Sequence, residues 1–161
     1  MLERYRAKGE GELYMKTAIV YYSRHHGNTK RLIDAIASKR QVIAIDASEI
    51  KTADLSEFDA VGFASGIYYS KFHESVITFA EKNLPEGKTV FFLYTCGTKR
   101  KGYTQAIVEC VSRHNATVLG EYGCLGFDTF GPFKLIGGIA KGHPDSDDLD
   151  GTLAFFDKLA L

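Results

Sequence analysis

The chain has 161 residues, 45% of them apolar and 25% charged. These are the proportions of one ordinary globular domain with enough apolar residues for a core, which excludes low-complexity and collagen-like sequence. Its 20 Lys and Arg balance its 20 Asp and Glu, so no global charge draws it onto nucleic acid or an anionic membrane. No apolar run approaches the ~20 residues of a membrane-spanning helix. The three cysteines, Cys96, Cys110 and Cys124, contain no C-x-x-C pair. They fit neither a disulfide framework nor a structural zinc site, and a reducing cytoplasm is the expectation.

Residues 1–14 are polar and aperiodic, with a charged start and no apolar stretch of the signal-peptide kind. They read as a flexible extension ahead of a domain spanning 15–161. From Thr17 the pattern alternates. Thr17–Tyr22 is a short run of β-branched and aromatic residues, as a strand buried on both faces requires. Asn28–Ser38 follows as a helix with Leu32, Ile33, Ile36 and Ala37 on one side. Gln41–Ile45 and Asp59–Ala64 are the second and third strands. Phe72–Asn83 is a helix with Phe72, Val76, Phe79 and Ala80 inward. Pro85-Glu86-Gly87 is turn chemistry. Lys88–Tyr94 is the fourth strand, Tyr103–His114 a helix, Thr117–Leu125 the fifth strand and Asp147–Ala160 a closing helix.

Strands that alternate with helices imply an α/β fold, a parallel sheet covered on both faces. Five strands match the flavodoxin-like doubly wound order 2-1-3-4-5. In such sheets a ligand lies beyond the carboxyl ends of the strands, where the order reverses. Three loops converge there.

The first is Ser23-Arg24-His25-His26-Gly27-Asn28-Thr29. It leaves a buried strand and opens a helix, so unpaired amides and the positive dipole end can hold a phosphate. Ser23 and Thr29 add hydroxyl donors, Gly27 permits a close backbone approach, and Asn28 is the expected helix cap. His25 and His26 add positive charge when protonated. No G-x-G-x-x-G follows the first strand, and Gly87-Lys88-Thr89 precedes a strand rather than a helix, so dinucleotide and P-loop sites are unsupported.

Tyr21-Tyr22-Ser23 leading to Gly27-Asn28-Thr29 resembles the phosphate loop of the flavodoxin family, whose common form is S/T-x-T-G-x-T. His25-His26 replaces the middle threonine and lengthens the loop by one residue. The resemblance extends in element order over residues 16–160 and implies a bound FMN. It also implies that Ser65-Gly66-Ile67-Tyr68-Tyr69 lies beside the isoalloxazine ring, with Tyr68 or Tyr69 as an aromatic wall. Gly66 is then the residue whose peptide turns when the reduced flavin gains a proton. The third loop, Thr95-Cys96-Gly97 through Gly102, resembles the segment whose amides meet the flavin's pyrimidine edge. Cys96 reads as a small, soft contact rather than a redox thiol.

Residues 122–142 are rich in Gly and Phe and long for a connection, and Phe127-Asp128-Thr129-Phe130 is a candidate wall of the same pocket. Lys99-Arg100-Lys101 is a basic patch at the presumed mouth. Three functions stay open on this basis. One is an FMN-containing electron carrier serving a redox partner protein or a small acceptor. Another is an FMN-dependent reductase or dehydrogenase acting on a quinone or porphyrin-type acceptor. The last is a flavodoxin-like scaffold without flavin.

Overall fold

Strand β1 (Thr17–Tyr22) is buried along its first four residues, and its neighbours explain why. It pairs in parallel with β2 (Val42–Asp46) on one side and β3 (Ala60–Tyr68) on the other. The computed structural model describes residues 15–161; the extension expected over 1–14 lies outside them. Beyond β3 the sheet continues through β5 (Thr89–Cys96) to β6 (Thr117–Leu125), so the order is β2-β1-β3-β5-β6. A two-residue strand, β4 (Lys71–Phe72), folds back antiparallel on the end of β3. Counted without that hairpin, this is the five-stranded 2-1-3-4-5 arrangement expected.

Helices cover both faces. Ala18, Val20, Val61, Phe63, Val90 and Phe92 point into the core beneath α2 (Glu74–Asn83) and α3 (Gln105–Ser112). The alternate residues Ile19, Ala64, Phe91 and Leu93 meet α1 (Asn28–Ala37) and α4 (Ser146–Lys158) through Ile33, Ile36 and Phe156. Continuous apolar strands with each face buried under a helix pair are the signature of a parallel sheet. No helix among the described residues is long and apolar enough to cross a membrane.

Several boundaries differ from expectation, and the expected strand Lys88–Tyr94 runs on to Cys96, which takes Thr95 and Cys96 out of the loop. The third strand does not stop at Ala64 but runs to Tyr68, and Phe72 belongs to β4 rather than to α2. The hairpin turns at Tyr69-Ser70, both at positive φ (50° and 64°). Such two-residue turns usually carry Asn or Gly, and Tyr-Ser gives no such signal. Phe72 is fully buried all the same, through sheet pairing instead of a helical face. The closing helix starts at Ser146, where Asp145 and Asp148 form a reciprocal capping box. Asp148 also bonds His143 (2.6 Å), which is half-buried rather than a free surface residue.

Candidate cofactor-binding site

Parallel register sets the geometry. Tyr22 on β1 lies beside Ser65 on β3, and Ser65 beside Tyr94 on β5. β1 ends at this level, while β3 and β5 run on to Tyr68 and Cys96, and these ends with the segments that follow surround a cleft of about 400 Å³, open solvent included. Its lining contains ten residues expected from the sequence: Ser23, His25, Asn28, Thr29, Gly66, Ile67, Tyr68, Thr95, Cys96 and Gly97. Gly126, Phe127, Asp128 and Phe130 complete it.

The first side is a cradle at the start of α1. Gly27 is the N-cap, at φ 66°, and has no side chain with which to cap the helix; the acceptor for the third amide comes from Ser23 instead. The expected capping role of Asn28 is thereby corrected. A left-handed residue at the cap turns the loop so that Asn28 is already the first residue of the helix, buried at 8% exposure. Its Nδ2 donates to the carbonyl of Phe127 (2.8 Å) on the opposite wall. Ser23 Oγ accepts from Lys30 N–H (3.0 Å), leaving its own proton free of any acceptor among the described residues. Thr29 and Thr95 share a hydrogen bond between hydroxyls (2.9 Å) at 1% and 4% exposure. Two hydroxyls own two protons, and their mutual bond uses one. The second remains to be donated into the cleft.

The opposite wall comes from the long connection after β6. Gly126 N–H donates to Cys96 O (2.9 Å), Phe127 N–H to His143 O (2.9 Å), and Asp128 and Ile139 bond each other through N–H···O pairs of 3.0 and 2.8 Å. The 3-10 helix Gly131–Ile136 lies inside this excursion. Close packing depends on absent Cβ atoms. One on Gly126 would stand 2.7 Å from Asn28 Nδ2, and one on Gly97 2.6 Å from Asp128 Oδ2. The two histidines expected near a phosphate instead tie the cradle to this wall. Thr129 N–H donates to His25 Nε2 (3.1 Å), and His26 Nε2 meets Thr129 Oγ1 (2.9 Å).

The hairpin forms the third side. Tyr22 stacks on His73 with ring centroids 3.6 Å apart and planes 3° from parallel, and Tyr68 stands edge-on to both. Burial pushes the Tyr68 phenol up to about 12, aided by Tyr22 and Asp128 and opposed by a hydrogen bond from the His25 backbone. Tyr69 is 85% exposed and meets Phe130 edge-on at 5.8 Å across the mouth.

Five expected residues stand outside the lining. His26 faces an adjoining groove with Arg31 and Lys141. Gly27 is spent on the helix cap. Ser65 is buried beneath the cleft, accepting from His73 N–H (2.9 Å) and donating to Gly66 O (2.5 Å). Tyr69 is at the rim. Gly102, at φ 90°, opens the turn before α3, where its carbonyl accepts from Gln105 N–H. Gly66 lies inside β3, paired with Thr95 and without positive φ, its carbonyl already held by Ser65. Cys96 is buried, and burial raises its thiol to about 11, as suits a packing contact and not a nucleophile.

The donor set decides what fits. Three hydroxyl residues, Ser23, Thr29 and Thr95, and the first turn of α1 line the cleft, against one carboxylate, Asp128, whose Oδ1 accepts from Phe130 N–H (2.7 Å). An anionic head group with an aromatic body suits these residues, as a flavin mononucleotide would.

Known proteins share this fold. Residues 19–120 match the flavodoxin domain model. An uncharacterized protein of Methanocaldococcus jannaschii is 32% identical over 143 residues, covering 88% of this chain and 95% of that one. A WrbA-like flavodoxin from Agrobacterium tumefaciens superposes with a TM-score of 0.64 at 15% identity, over 91% of this chain and 96% of that chain. For a flavodoxin from the domain Archaea the TM-score is 0.58 at 20% identity, over 90% and 99%. Rubredoxin:oxygen oxidoreductase from Desulfovibrio gigas gives 0.65 at 14% identity, over 90% of this chain but 35% of that larger one. With its doubly wound sheet and a cleft at the switch point, the chain belongs to the flavodoxin family.

Proposed function

We propose that this protein binds FMN and carries electrons between redox partners in a reducing cytoplasm. The observation that carries the reading is the donor-rich start of α1, floored by the Thr29–Thr95 pair and bounded by Tyr68 and Phe127. The loop amides with the Ser23 and Thr29 hydroxyls bind the phosphate. Tyr68 and the Tyr69–Phe130 pair flank the ring, and the Gly97 backbone meets its polar edge. Bound FMN supplies the redox chemistry, gaining and losing electrons singly or in pairs. The chain's part is to hold it, exclude water from one side and leave an edge accessible at the mouth. Three free, buried cysteines accord with a reducing compartment.

A second reading, an FMN-dependent reductase acting on a small acceptor, is favoured by one observation. Asp128 places a carboxylate inside the cleft with the His25 ring beside it (3.5 Å), a group able to exchange a proton with a bound acceptor. Extraction of the native protein followed by chromatography should yield FMN, and recovery of FAD alone would overturn the assignment. Slow NAD(P)H oxidation in the presence of a quinone supports the carrier; rapid turnover selects the reductase.

A further inference from the structure

The rim of the cleft carries apolar side chains that nothing in the fold needs. Leu135 is 89% and Ile136 69% exposed, both on the 3-10 helix that juts from the wall. The same connection brings Phe130, 49% exposed, against Tyr69 at the mouth. Isolated exposed apolar residues are ordinary, but here Leu135 and Ile136 stand on the same excursion, between the paired Asp128 and Ile139, as Phe130, which lines the cleft and meets Tyr69, and four such side chains on one connection and the hairpin it touches suit an interface.

Charge at the same place is one-sided. Segments 95–104 and 126–142 hold Lys99, Arg100, Lys101, Lys134 and Lys141 against a single carboxylate, Asp128. All five cations are exposed, and none has an ion-pair partner among the described residues, whereas Asp128 is turned inward toward His25. Since the whole chain is neutral, its excess acid lies elsewhere. Part of it is at the start of α4, where Asp145 and Asp148 are occupied by the capping box and His143 while Asp147 and Asp150 are exposed.

We propose that this rim is a docking surface for an acidic electron-transfer protein, with Leu135 and Ile136 as its apolar anchor. The inference rests on the carrier reading and specifies its partner. An apolar centre edged by cations of one sign complements a partner with an apolar spot inside a ring of carboxylates, and such charge steers encounter. A second copy of this chain would present the same cations and be repelled. An anionic membrane would be drawn to the same cations, and the vesicle arm of the test separates it from a protein partner.

The test measures binding, so it does not depend on turnover. The probe is a strongly acidic [2Fe–2S] ferredoxin with gallium in place of iron, which cannot exchange electrons; basic cytochrome c is the control. Titration at low ionic strength should show saturable binding to the ferredoxin that weakens steeply with added salt. The triple variant Lys99→Glu, Arg100→Glu, Lys101→Glu should weaken it by roughly tenfold or more. Leu135→Ser with Ile136→Ser should weaken it to a similar degree without the salt sensitivity changing. Both variants should retain the parent's flavin content and thermal stability. Absence of ferredoxin binding, tighter binding to cytochrome c, or variants that bind like the parent would each overturn the proposal. So would co-sedimentation with phosphatidylglycerol vesicles that is lost in the Leu135/Ile136 variant, or a dimer that the same variant dissolves. Purified protein free of flavin defeats the carrier reading separately, and binding of the probe is still read on that sample.

Discussion

Thr29 and Phe127 face the same cleft from opposite sides and are held there by different means. Thr29 sits in the first turn of a ten-residue helix at 1% exposure, its hydroxyl locked to Thr95. Phe127 is half-buried on a long connection fixed by a few hydrogen bonds, from its own N–H to His143 O and to its carbonyl from Asn28. Secondary structure builds the cradle, whereas the wall leans on the cradle. Mutations on the first side should therefore change affinity together with folding, and those on the second should change order and access before stability.

The strongest expected effect separates affinity from folding at the cradle. Thr29→Val removes a donor to a dianionic phosphate, and hydrogen bonds to charged groups are worth ~1.5–3 kcal/mol, so FMN affinity should fall roughly ten- to a hundredfold. It also strands the Thr95 hydroxyl, almost fully buried, which should cost about 1–2 kcal/mol of stability by urea unfolding. Adding Thr95→Val replaces both hydroxyls by shapes of equal size and should restore most of that stability but none of the affinity. Restored affinity in the double variant would show that the pair serves the fold alone.

The wall should respond to two smaller changes. Gly97→Ala places a Cβ 2.6 Å from Asp128 Oδ2 and 2.9 Å from Ile139 Cδ1, and both are side-chain atoms that can give way. The wall should shift outward at a cost of about 1–3 kcal/mol, the usual range for overpacking. Asn28→Ala removes the bond to Phe127 O, worth about 1 kcal/mol. Amide exchange at Asp128 and Ile139 should quicken in both variants, while exchange in β1 and β3 stays at the parent rate. Uniform acceleration across the sheet would mean that cradle and wall open together and are not distinct in stability.

The same contrast governs what could be read from the residues. The cradle was legible because a buried strand, a glycine-containing polar turn and an amphipathic helix follow one another between Thr17 and Ala37, each with a local signature. The flavodoxin-like order followed from the alternation of strands and helices. The wall had no such signature. Phe127–Phe130 could be suspected from the length and composition of its connection, but the contact of Asn28 with Phe127 joins residues 99 apart in sequence and is a product of the fold. Asn28 was expected to cap the helix, as its residue type favours, yet Gly27 at positive φ takes that place and frees the amide side chain for the wall. The hairpin was missed for a related reason: Tyr69-Ser70 adopts a turn whose usual residues are Asn and Gly, so pairing with β3, not local preference, fixes it.

Between cradle and wall stands His73, the residue through which pH should reach the hairpin. Its Nδ1 accepts from Ser75 N–H (3.2 Å) at the start of α2, and its ring lies flat on Tyr22. Burial lowers its pKa below 6.5, Glu74 opposing and Lys51 assisting. A histidine depressed in the folded state is protonated first in the unfolded chain. Its contribution is therefore complete above pH 6.5 and is lost as pH falls from there through the lower folded value. Once protonated, Nδ1 can no longer accept from Ser75, so the cap weakens over the same range. His73→Asn keeps a capping acceptor and removes the titration. Urea unfolding at a series of pH values from about 7.5 down to about 5 should show the parent losing stability faster than this variant, since the slope tracks the difference in protons bound. The other histidines titrate equally in both proteins, so the difference between the two curves isolates His73. Parallel curves would show that His73 does not carry the pH response of the hairpin.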